Sequence, residues 1–355
     1  MLTVGVEEEF LLADPAGHLS FAGPEVVGAA REQEGELQLE LATCQVESAT
    51  DVCRGAEELI KQLDGLRAGL AEEAGRRDLR VVASGTSLLA EPGTPEITPT
   101  GRYRRMAERF GAITHTATTC GCHVHVAVPD SETAVLVGNH VRPWLPALLA
   151  MTANSPYYDG EDTRYSSWRH VLWSRWPSAG PPPVFSSLDH YESTVEALLR
   201  SGAMLDRGMI YWDIRVSDKQ PTLECRVSDV AATSREAALL AVLTRGLVGM
   251  ALDDLGASPY QPPQEVLRAN LWRAARDGIT GDCPHPVTGE VVPVSGLLGE
   301  LAEFVRPVLR ETPGDAEFVA DMLAELDKTG GGAERQRAAY AKRQRLEDVV
   351  TLLAQ

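Results

Sequence analysis

Positive charge is scarce in this sequence. Its 355 residues include 33 lysines and arginines against 51 aspartates and glutamates, which gives a formal net charge of −18 at pH 7. Because an acidic surface repels phosphate backbones, this composition argues against nucleic acid as a partner, and the same repulsion applies to anionic membrane surfaces. An anionic nucleotide fits such a chain only where metal ions or arginines reverse the field inside a pocket.

The sequence also lacks a long apolar run and a leader-like start. The most apolar segment begins at Ala237, is interrupted by Arg245 and ends in two aspartates, which predicts a buried helix and no membrane span. No basic region followed by an apolar stretch opens the chain, so we expect no signal peptide. The six cysteines are irregularly spaced, which is typical of reduced thiols in a cytoplasmic protein.

No internal repeat, low-complexity tract or linker-like segment divides the chain. Segments that alternate with period two are interspersed with segments of helical spacing, such as residues 51–77. Thr233 and Glu236 form a capping box that predicts the start of another helix. We therefore predict one α+β domain over residues 1–355, with helices over roughly the last ninety residues.

Four predicted strands carry apolar side chains on one side and polar or charged side chains on the other. Successive residues of a strand face opposite sides, so Val4 and Val6 share one face of the first strand, and Glu7 and Glu9 share the other. The same count pairs further polar residues on the later strands: Gln45 with Glu47, His123 with His125, and Glu224 with Arg226. One such strand would simply face water, but four with the same pattern favour a shared functional face.

Glu8 is the exception to this pattern. It falls on the apolar side of the first strand, where burial of a carboxylate without a partner is very costly. A β-bulge or a buried arginine partner would each account for its position.

The stretch CGCH at 120–123 resembles a fragment of a thiolate zinc site. Strand alternation, however, places Cys120 and Cys122 opposite His123 and His125, and no second close pair of cysteines occurs. We therefore predict that the cysteines are small core residues and that the histidines join the carboxylates.

Carboxylates with a neutral histidine form a hard, oxygen-rich ligand set that suits Mg²⁺ or Mn²⁺. Arg226, beside Glu224 on the same face, could bind a phosphate oxygen. Metal-binding carboxylates with nearby arginines are typical of sites that transfer a phosphoryl group. The glycine-rich phosphate loop GxxxxGK[ST] is absent, so metals and arginines would have to hold any nucleotide.

Residues 154–190 form a long irregular stretch with five prolines and three of the six tryptophans. Long loops in compact domains are usually functional or disordered, and this density of aromatic residues argues against disorder. Arginines and tryptophans alternate within it and predict a lid or a wall of the substrate site: Arg164, Trp168, Arg169, Trp173, Arg175 and Trp176.

Several motifs, in this order, resemble a known family: VGVEEEFLL, CQVES, CGCHVHV, NSPYYDGEDTRYSSWRHVLWSRWPSAGPP, YWDIRVSDKQPTLECRVSDV, NLWRAARDG and AERQRAAY. They resemble the carboxylate–amine ligases, the bacterial type 2 glutamate–cysteine ligase-like group of the glutamine synthetase superfamily. The resemblance covers essentially the whole chain. It implies a curved, mainly antiparallel sheet like that of the glutamine synthetase catalytic domain, with a polar face that forms a funnel and helices behind it.

The resemblance also implies a reaction. A carboxylate, such as the γ-carboxylate of glutamate, would attack ATP to give an acyl phosphate, and an amine such as that of cysteine would then form the amide. ATP and Mg²⁺ or Mn²⁺ would be the cofactors, small-molecule acids and amines the substrates, and a homodimer the assembly.

The family pattern assigns roles to individual residues. It implies five metal ligands: Glu7, Glu9, Glu47, His123 and Glu224. Arg226 would contact the transferred phosphate, and Arg169 would grip a nucleotide phosphate or a substrate carboxylate. His125 would lie beside the nucleotide, where it orients substrate or supports the sheet. Asp213 and Asp229 are weaker candidates, because an apolar-face or turn position explains each equally well.

Three other functions remain open at this point. A metal-dependent amide hydrolase could use the same scaffold, since the superfamily includes enzymes that run the reaction backwards. A protein that binds metal or nucleotide without catalysis would keep the fold. A structural zinc protein is the weakest of the three, because the strand alternation separates its ligands.

Overall fold

The computed structural model describes residues 1–30, 35–91, 93–116, 118–256 and 260–355. Within them the chain forms 11 β-strands and 13 α-helices. The strands are β1 (Val4–Ala13), β2 (Glu36–Leu39), β3 (Gln45–Ala49), β4 (Arg80–Val82), β5 (Gly121–Ala127), β6 (Tyr157–Tyr158), β7 (Glu161–Asp162), β8 (Ile214–Val216), β9 (Thr222–Asp229), β10 (Asp282–Pro284) and β11 (Val291–Pro293). The helices are α1 (Gly23–Ala29), α2 (Ala56–Gly75), α3 (Gly101–Phe110), α4 (Ser131–Val141), α5 (Leu145–Thr152), α6 (Trp168–Trp173), α7 (Leu188–Ser201), α8 (Ser234–Asp253), α9 (Gln264–Asp277), α10 (Val294–Leu309), α11 (Asp315–Thr329), α12 (Gly332–Arg343) and α13 (Leu346–Leu353).

Seven strands form one antiparallel sheet in the order β2–β3–β1–β5–β9–β8, and β4 pairs with the end of β1. The register places Glu9 opposite Glu47 and Glu7 opposite His123. Polar residues that the alternation assigned to one side of separate strands therefore lie side by side. The predicted α+β class, with an antiparallel sheet backed by helices, is confirmed.

The apolar side of the sheet packs against helices. Val6, Val124 and Cys225, from three neighbouring strands, belong to one buried cluster with side chains of α2, α4, α5, α8 and α10. The predicted capping box begins α8, because the Thr233 hydroxyl accepts from Glu236 N–H while the Glu236 carboxylate accepts from Thr233 N–H. Among the described helices, none combines the length and hydrophobicity that a bilayer crossing requires.

A buried arginine accounts for Glu8. The Glu8 side chain is fully buried on the helix side of β1, and Arg67 of α2 donates to both its carboxylate oxygens, from Nε at 2.9 Å and from Nη2 at 2.5 Å. Arg67 also donates to the carbonyl of Ala231 and to the side chain of Gln355. Of the two explanations for Glu8, the arginine partner is therefore confirmed.

The pairing of β5 with β9 contains a register shift beside His123. Cys122 pairs with Ser228, whereas Val124 pairs with Cys225, so two residues of β9 lie opposite one residue of β5. Beyond this bulge, Asp229 pairs with Gly121 and faces the polar side. Of the two explanations offered for Asp229, the apolar-face position is therefore wrong, because the bulge reverses the alternation of β9 at this point.

Two other segments differ from the sequence-based expectations. The last ninety or so residues are not entirely helical, because β10 and β11 form a hairpin between α9 and α10. Residues 154–190 include the hairpin β6–β7 and helix α6, and two tryptophans of this segment pack against Tyr211. Their ring centroids lie 4.7 Å (Trp173) and 5.3 Å (Trp176) from that of Tyr211, so this segment is an ordered wall beside the sheet.

Candidate active site

The polar side of the central strands gathers two groups of potential metal ligands. One consists of Glu7, His125 and Glu224, and the other of Glu9, Glu40 and Glu47; in each group the ligand atoms lie within 4.8 Å of one another. Carboxylate oxygens with one imidazole suit a hard divalent cation such as Mg²⁺ or Mn²⁺. Among the described residues, neither group contains a cysteine, which agrees with the predicted placement of the cysteines in the core.

The first group, Glu7–His125–Glu224, spans β1, β5 and β9. His125 Nε2 lies 3.3 Å from Glu7 Oε1 and 4.0 Å from Glu224 Oε1, while its Nδ1 lies 2.9 Å from the Thr222 hydroxyl. Burial would raise the pKa of Glu7, but the interactions with the neighbouring His123 and His125 rings hold it below its usual range. His125 Nε2 is buried without a hydrogen-bond partner among the described residues, so one imidazole nitrogen is available to a ligand.

The second group, Glu9–Glu40–Glu47, consists of three neighbouring carboxylates with little opposite charge close to them among the described residues. No lysine or arginine of the described residues lies within ion-pair distance of its three carboxylates. Burial and the neighbouring Glu40 raise the pKa of Glu9 to about 7, although Arg169 and Arg226 oppose the rise. Burial and the same crowding raise the pKa of Glu47 well above its usual range. This cluster fits a cation, because a divalent ion would remove the repulsion that now favours protonation.

His123 lies between the two groups. Its Nδ1 is 3.2 Å from Glu7 Oε2 and 3.3 Å from Arg226 Nη1, and its Nε2 is 3.7 Å from Glu9 Oε1. Burial, and then the Arg226 charge, lower the pKa of His123 to about 4, so the ring is neutral near pH 7. Its Nε2 makes no hydrogen bond among the described residues. A neutral imidazole with a free nitrogen could complete the coordination of either cation.

Two arginines bind Glu224. Arg215 of β8 donates to both carboxylate oxygens, from Nε at 2.6 Å and from Nη2 at 3.1 Å, and Arg226 of β9 donates through Nη1 to the same carboxylate. Burial would raise the pKa of Glu224, but Arg226 and Arg215 hold it below its usual range. Arg226 Nε remains buried without a partner among the described residues, so part of its guanidinium is unused.

Arg169 reaches the same face from α6. Its guanidinium lies 5.5 Å from the ring centroid of Trp173, and that of Arg226 lies 6.0 Å from the same ring. Gly121 makes this approach possible, because a β-carbon there would lie 2.3 Å from Arg169 Nη2. Two buried arginines therefore lie near one indole ring, an arrangement that suits an anionic ligand.

The predicted site residues all lie on this face. The structure brings Arg226, Arg169 and His125 together with the five metal ligands that the family resemblance implies, which are Glu7, Glu9, Glu47, His123 and Glu224. The distances differ from the predicted ligand set in one respect, because the histidine grouped with Glu7 and Glu224 is His125 and not His123. The roles of these residues remain predictions.

Two site residues were missed. Glu40 follows the last residue of β2, where strand alternation no longer assigns a face, and Arg215 lies on the three-residue edge strand β8. The only sequence signal for Arg215 is its place inside the motif YWDIRVSDKQ. Of the three arginines singled out in 154–190, Arg164 lies elsewhere, lining a cleft of about 440 Å³ with Arg276 and Arg337.

Sequence comparison identifies the family. The model of glutamate–cysteine ligase family 2 matches residues 3–351. A provisionally named glutamate–cysteine ligase 2-1 of Rhodococcus jostii (strain RHA1) is 53% identical over 354 residues, which are 99% of this chain and 95% of the relative. A protein of the same provisional name from Saccharopolyspora erythraea is 50% identical over 350 residues, 98% of this chain and 93% of the relative.

Solved structures with low sequence identity share the fold. A glutamate–cysteine ligase from Francisella tularensis, in complex with AMP, superposes with a TM-score of 0.71 at 13% identity and covers 99% of this chain and 87% of its own. A bifunctional glutathione synthetase from Pasteurella multocida gives 0.69 at 17% identity, with 99% of this chain and 51% of that one covered. With the family match and the antiparallel sheet, these similarities confirm the predicted glutamine synthetase-like fold. The chain belongs to glutamate–cysteine ligase family 2 and is an ATP-dependent ligase that forms carbon–nitrogen bonds.

Proposed function

We propose that this ligase joins the γ-carboxylate of L-glutamate, or of a similar acid, to the amine of L-cysteine or of another amine. The observation that carries the proposal is one sheet face on which two carboxylate-rich groups lie beside Arg169 and Arg226, in a member of this family. The names of the relatives support glutamate and cysteine as the substrates.

Mg²⁺ ions are the proposed metal cofactors. Glu7, His125 and Glu224 would hold one ion and Glu9, Glu40 and Glu47 another, with His123 between them. Mn²⁺ suits the same ligands. The ions would neutralise the charge of the ATP phosphates and of the phosphoryl group during its transfer.

Arg226 and Arg169 are the proposed anion-binding residues. Arg226 is anchored to Glu224 but keeps its Nε without a partner among the described residues, and Arg169 Nε is buried in the same way. Burying a guanidinium group with unused N–H donors is costly unless an anion accepts hydrogen bonds from those donors. We assign Arg226 to the transferred phosphate, and Arg169 to a nucleotide phosphate or the carboxylate of the acid.

The chemistry follows two steps. A carboxylate oxygen of the acid bonds to the γ-phosphorus of ATP while the bond between that phosphorus and the ADP oxygen breaks. The amine nitrogen then bonds to the acyl carbon, phosphate departs and the amine loses a proton to solvent. A buried face with fixed positive groups lowers the barrier to both steps, because it stabilises the charge that moves onto the phosphoryl oxygens.

The test is ADP release from ATP and Mg²⁺ with L-glutamate, measured with and without a panel of amines that includes L-cysteine. We expect release that depends on both the acid and an amine. Glu47→Gln should abolish it, whereas Glu36→Gln, at an exposed position on β2, should not. A wild-type protein that releases no ADP with any acid and amine, or one that hydrolyses the amide without ATP, would overturn the proposal.

A further inference from the structure

Asp229 lies at the end of the strand that carries Glu224 and Arg226, and its side chain is fully buried. The bulge beside His123 turns it toward the polar side of the sheet, opposite Gly121. It belongs to neither of the two carboxylate groups that could hold a cation. A buried carboxylate on the active face, outside both groups, requires partners of its own.

Its partners are the two ends of one loop. Asp229 Oδ2 accepts from the backbone N–H of Asn154 at 2.8 Å and from the Ser155 hydroxyl at 2.6 Å, and Oδ1 accepts from the Ser167 hydroxyl at 2.8 Å. Residues 154 and 155 begin the segment that precedes α6, and Ser167 ends it. The Asp229 carboxylate thus joins both ends of the segment 154–167 to β9. Each of these hydrogen bonds is buried and has a carboxylate oxygen as its acceptor.

The same bonds determine where α6 begins. Ser155 Oγ, which donates to Asp229, accepts from the backbone N–H of Arg169 at 3.0 Å. Ser167 Oγ accepts from the backbone N–H of His170 at 3.3 Å and is the N-cap of the helix. The first turn of α6, and with it Arg169, is therefore attached to Asp229 through two serine hydroxyls.

A second attachment comes from the C-terminal part of the chain. Gln336 of α12 is fully buried, and its Nε2 donates to the carbonyl of Asn154 at 2.9 Å and to its side-chain oxygen at 2.7 Å. The neighbouring Arg337 donates to both carboxylate oxygens of Asp162 in the same segment. These contacts explain the motif AERQRAAY, which supplies no residue to the site itself.

We infer that Asp229 is a positioning residue for Arg169 in the ligase reaction proposed above, and that Gln336 holds the same loop from behind. Through these bonds Asp229 fixes the backbone from which the Arg169 guanidinium extends past Gly121 to Trp173. An arginine that grips an anion must be placed within a fraction of an ångström, so loosening its helix lowers activity without removing any substrate contact.

The kinetic test compares Asp229→Ala, Asp229→Asn and Arg169→Lys with the double variant Asp229→Ala/Arg169→Lys. We expect Asp229→Ala to lower kcat/KM by about 100-fold, through the same parameter, kcat or KM, that Arg169→Lys affects. Asp229→Asn should retain most activity, because its oxygen can still accept from Asn154 and Ser155 and its amide can donate to Ser167. In a protein that already carries Arg169→Lys, Asp229→Ala should lower kcat/KM hardly any further. The inference would be overturned if the double variant lost kcat/KM by the product of the two single losses. Full activity of Asp229→Ala would overturn it as well.

Ser155→Ala tests the same link in case Asp229→Ala does not fold. It removes the hydroxyl between Asp229 and Arg169 but leaves Asp229 two of its three partners. We expect a thermal unfolding temperature close to that of the wild type and the same change in kinetics. Crystal structures of the wild type and of Ser155→Ala show the position of Arg169 and require no enzymatic activity. The inference therefore stays testable if the wild type proves inactive. An unmoved Arg169 in Ser155→Ala would overturn it.

Discussion

Glu8 and Arg67 form a bidentate ion pair on the helix side of β1, directly behind Glu7 and Glu9. Both partners are almost fully buried. Arg67 extends from α2, which links the strand that carries two proposed metal ligands to the helical layer. The acid at position 8 is therefore part of the support of the site, while its two neighbours in the sequence face the site itself.

Breaking this pair should destabilise the protein strongly. Arg67→Met leaves the Glu8 carboxylate buried and unpaired, so we expect the free energy of unfolding in urea to fall by about 3–5 kcal/mol. The double variant Glu8→Leu/Arg67→Met removes both charges and should recover much of that loss. A single variant as stable as the double variant would contradict the assignment of Arg67 as the essential partner of Glu8.

Glu40 should contribute to cation binding although it lies outside a strand. Because it shares a cluster with Glu9 and Glu47, Glu40→Gln should weaken Mg²⁺ binding on the order of tenfold by removing one charged ligand. Isothermal titration calorimetry with MgCl₂ measures the affinity. Glu36→Gln is the matched control, since this exposed residue on β2 belongs to neither group of potential ligands. Equal effects of the two substitutions would show that only general surface charge matters.

Stabilisation by Mg²⁺ should increase with pH. Burial and Glu40 raise the pKa of Glu9 from its ordinary value of 4.5 to about 7, so the metal-free folded protein binds more protons than the unfolded chain between these values. The contribution of Glu9 to stability therefore falls as pH rises from about 4.5 through 7, and a bound cation offsets that loss.

Thermal unfolding with and without MgCl₂ measures this effect. We expect the increase in Tm caused by Mg²⁺ to be larger at pH 8 than at pH 6. Glu9→Gln removes one of the two ligands with a raised pKa, so it should make the increase smaller at both pH values and less dependent on pH. A larger increase at pH 6 in the wild type would contradict the elevated pKa.

Strand alternation predicted most of this site, because side chains of paired strands share a face wherever the pairing is regular. Glu7, Glu9, Glu47 and Glu224 were assigned correctly to one face on that basis. The method failed for Asp229, because the bulge that reverses its side depends on how two strands pair and not on either strand alone.

Partners distant in sequence could not be predicted. Glu40 follows the end of a strand, and Arg67 meets Glu8 across 59 residues of chain. Gln336 meets Asn154 across 182 residues. A sequence pattern records the local period of a strand or helix, whereas these contacts depend on how whole elements pack, so only the three-dimensional structure reveals them.

Gly121→Ala should separate the position of Arg169 from the stability of the fold. A β-carbon at residue 121 would lie 2.3 Å from Arg169 Nη2 and 2.9 Å from His123 Nε2. The Arg169 guanidinium and the His123 ring would both have to shift, so we expect a stability loss of about 1–3 kcal/mol but a fall in kcat/KM of about 100-fold. Gly28→Ala is the control, since a β-carbon there would have no neighbour within 4 Å, and it should leave the activity unchanged. If Gly121→Ala kept wild-type activity, Arg169 could act from a displaced position, and the close approach of its guanidinium to the sheet would have no role in the reaction.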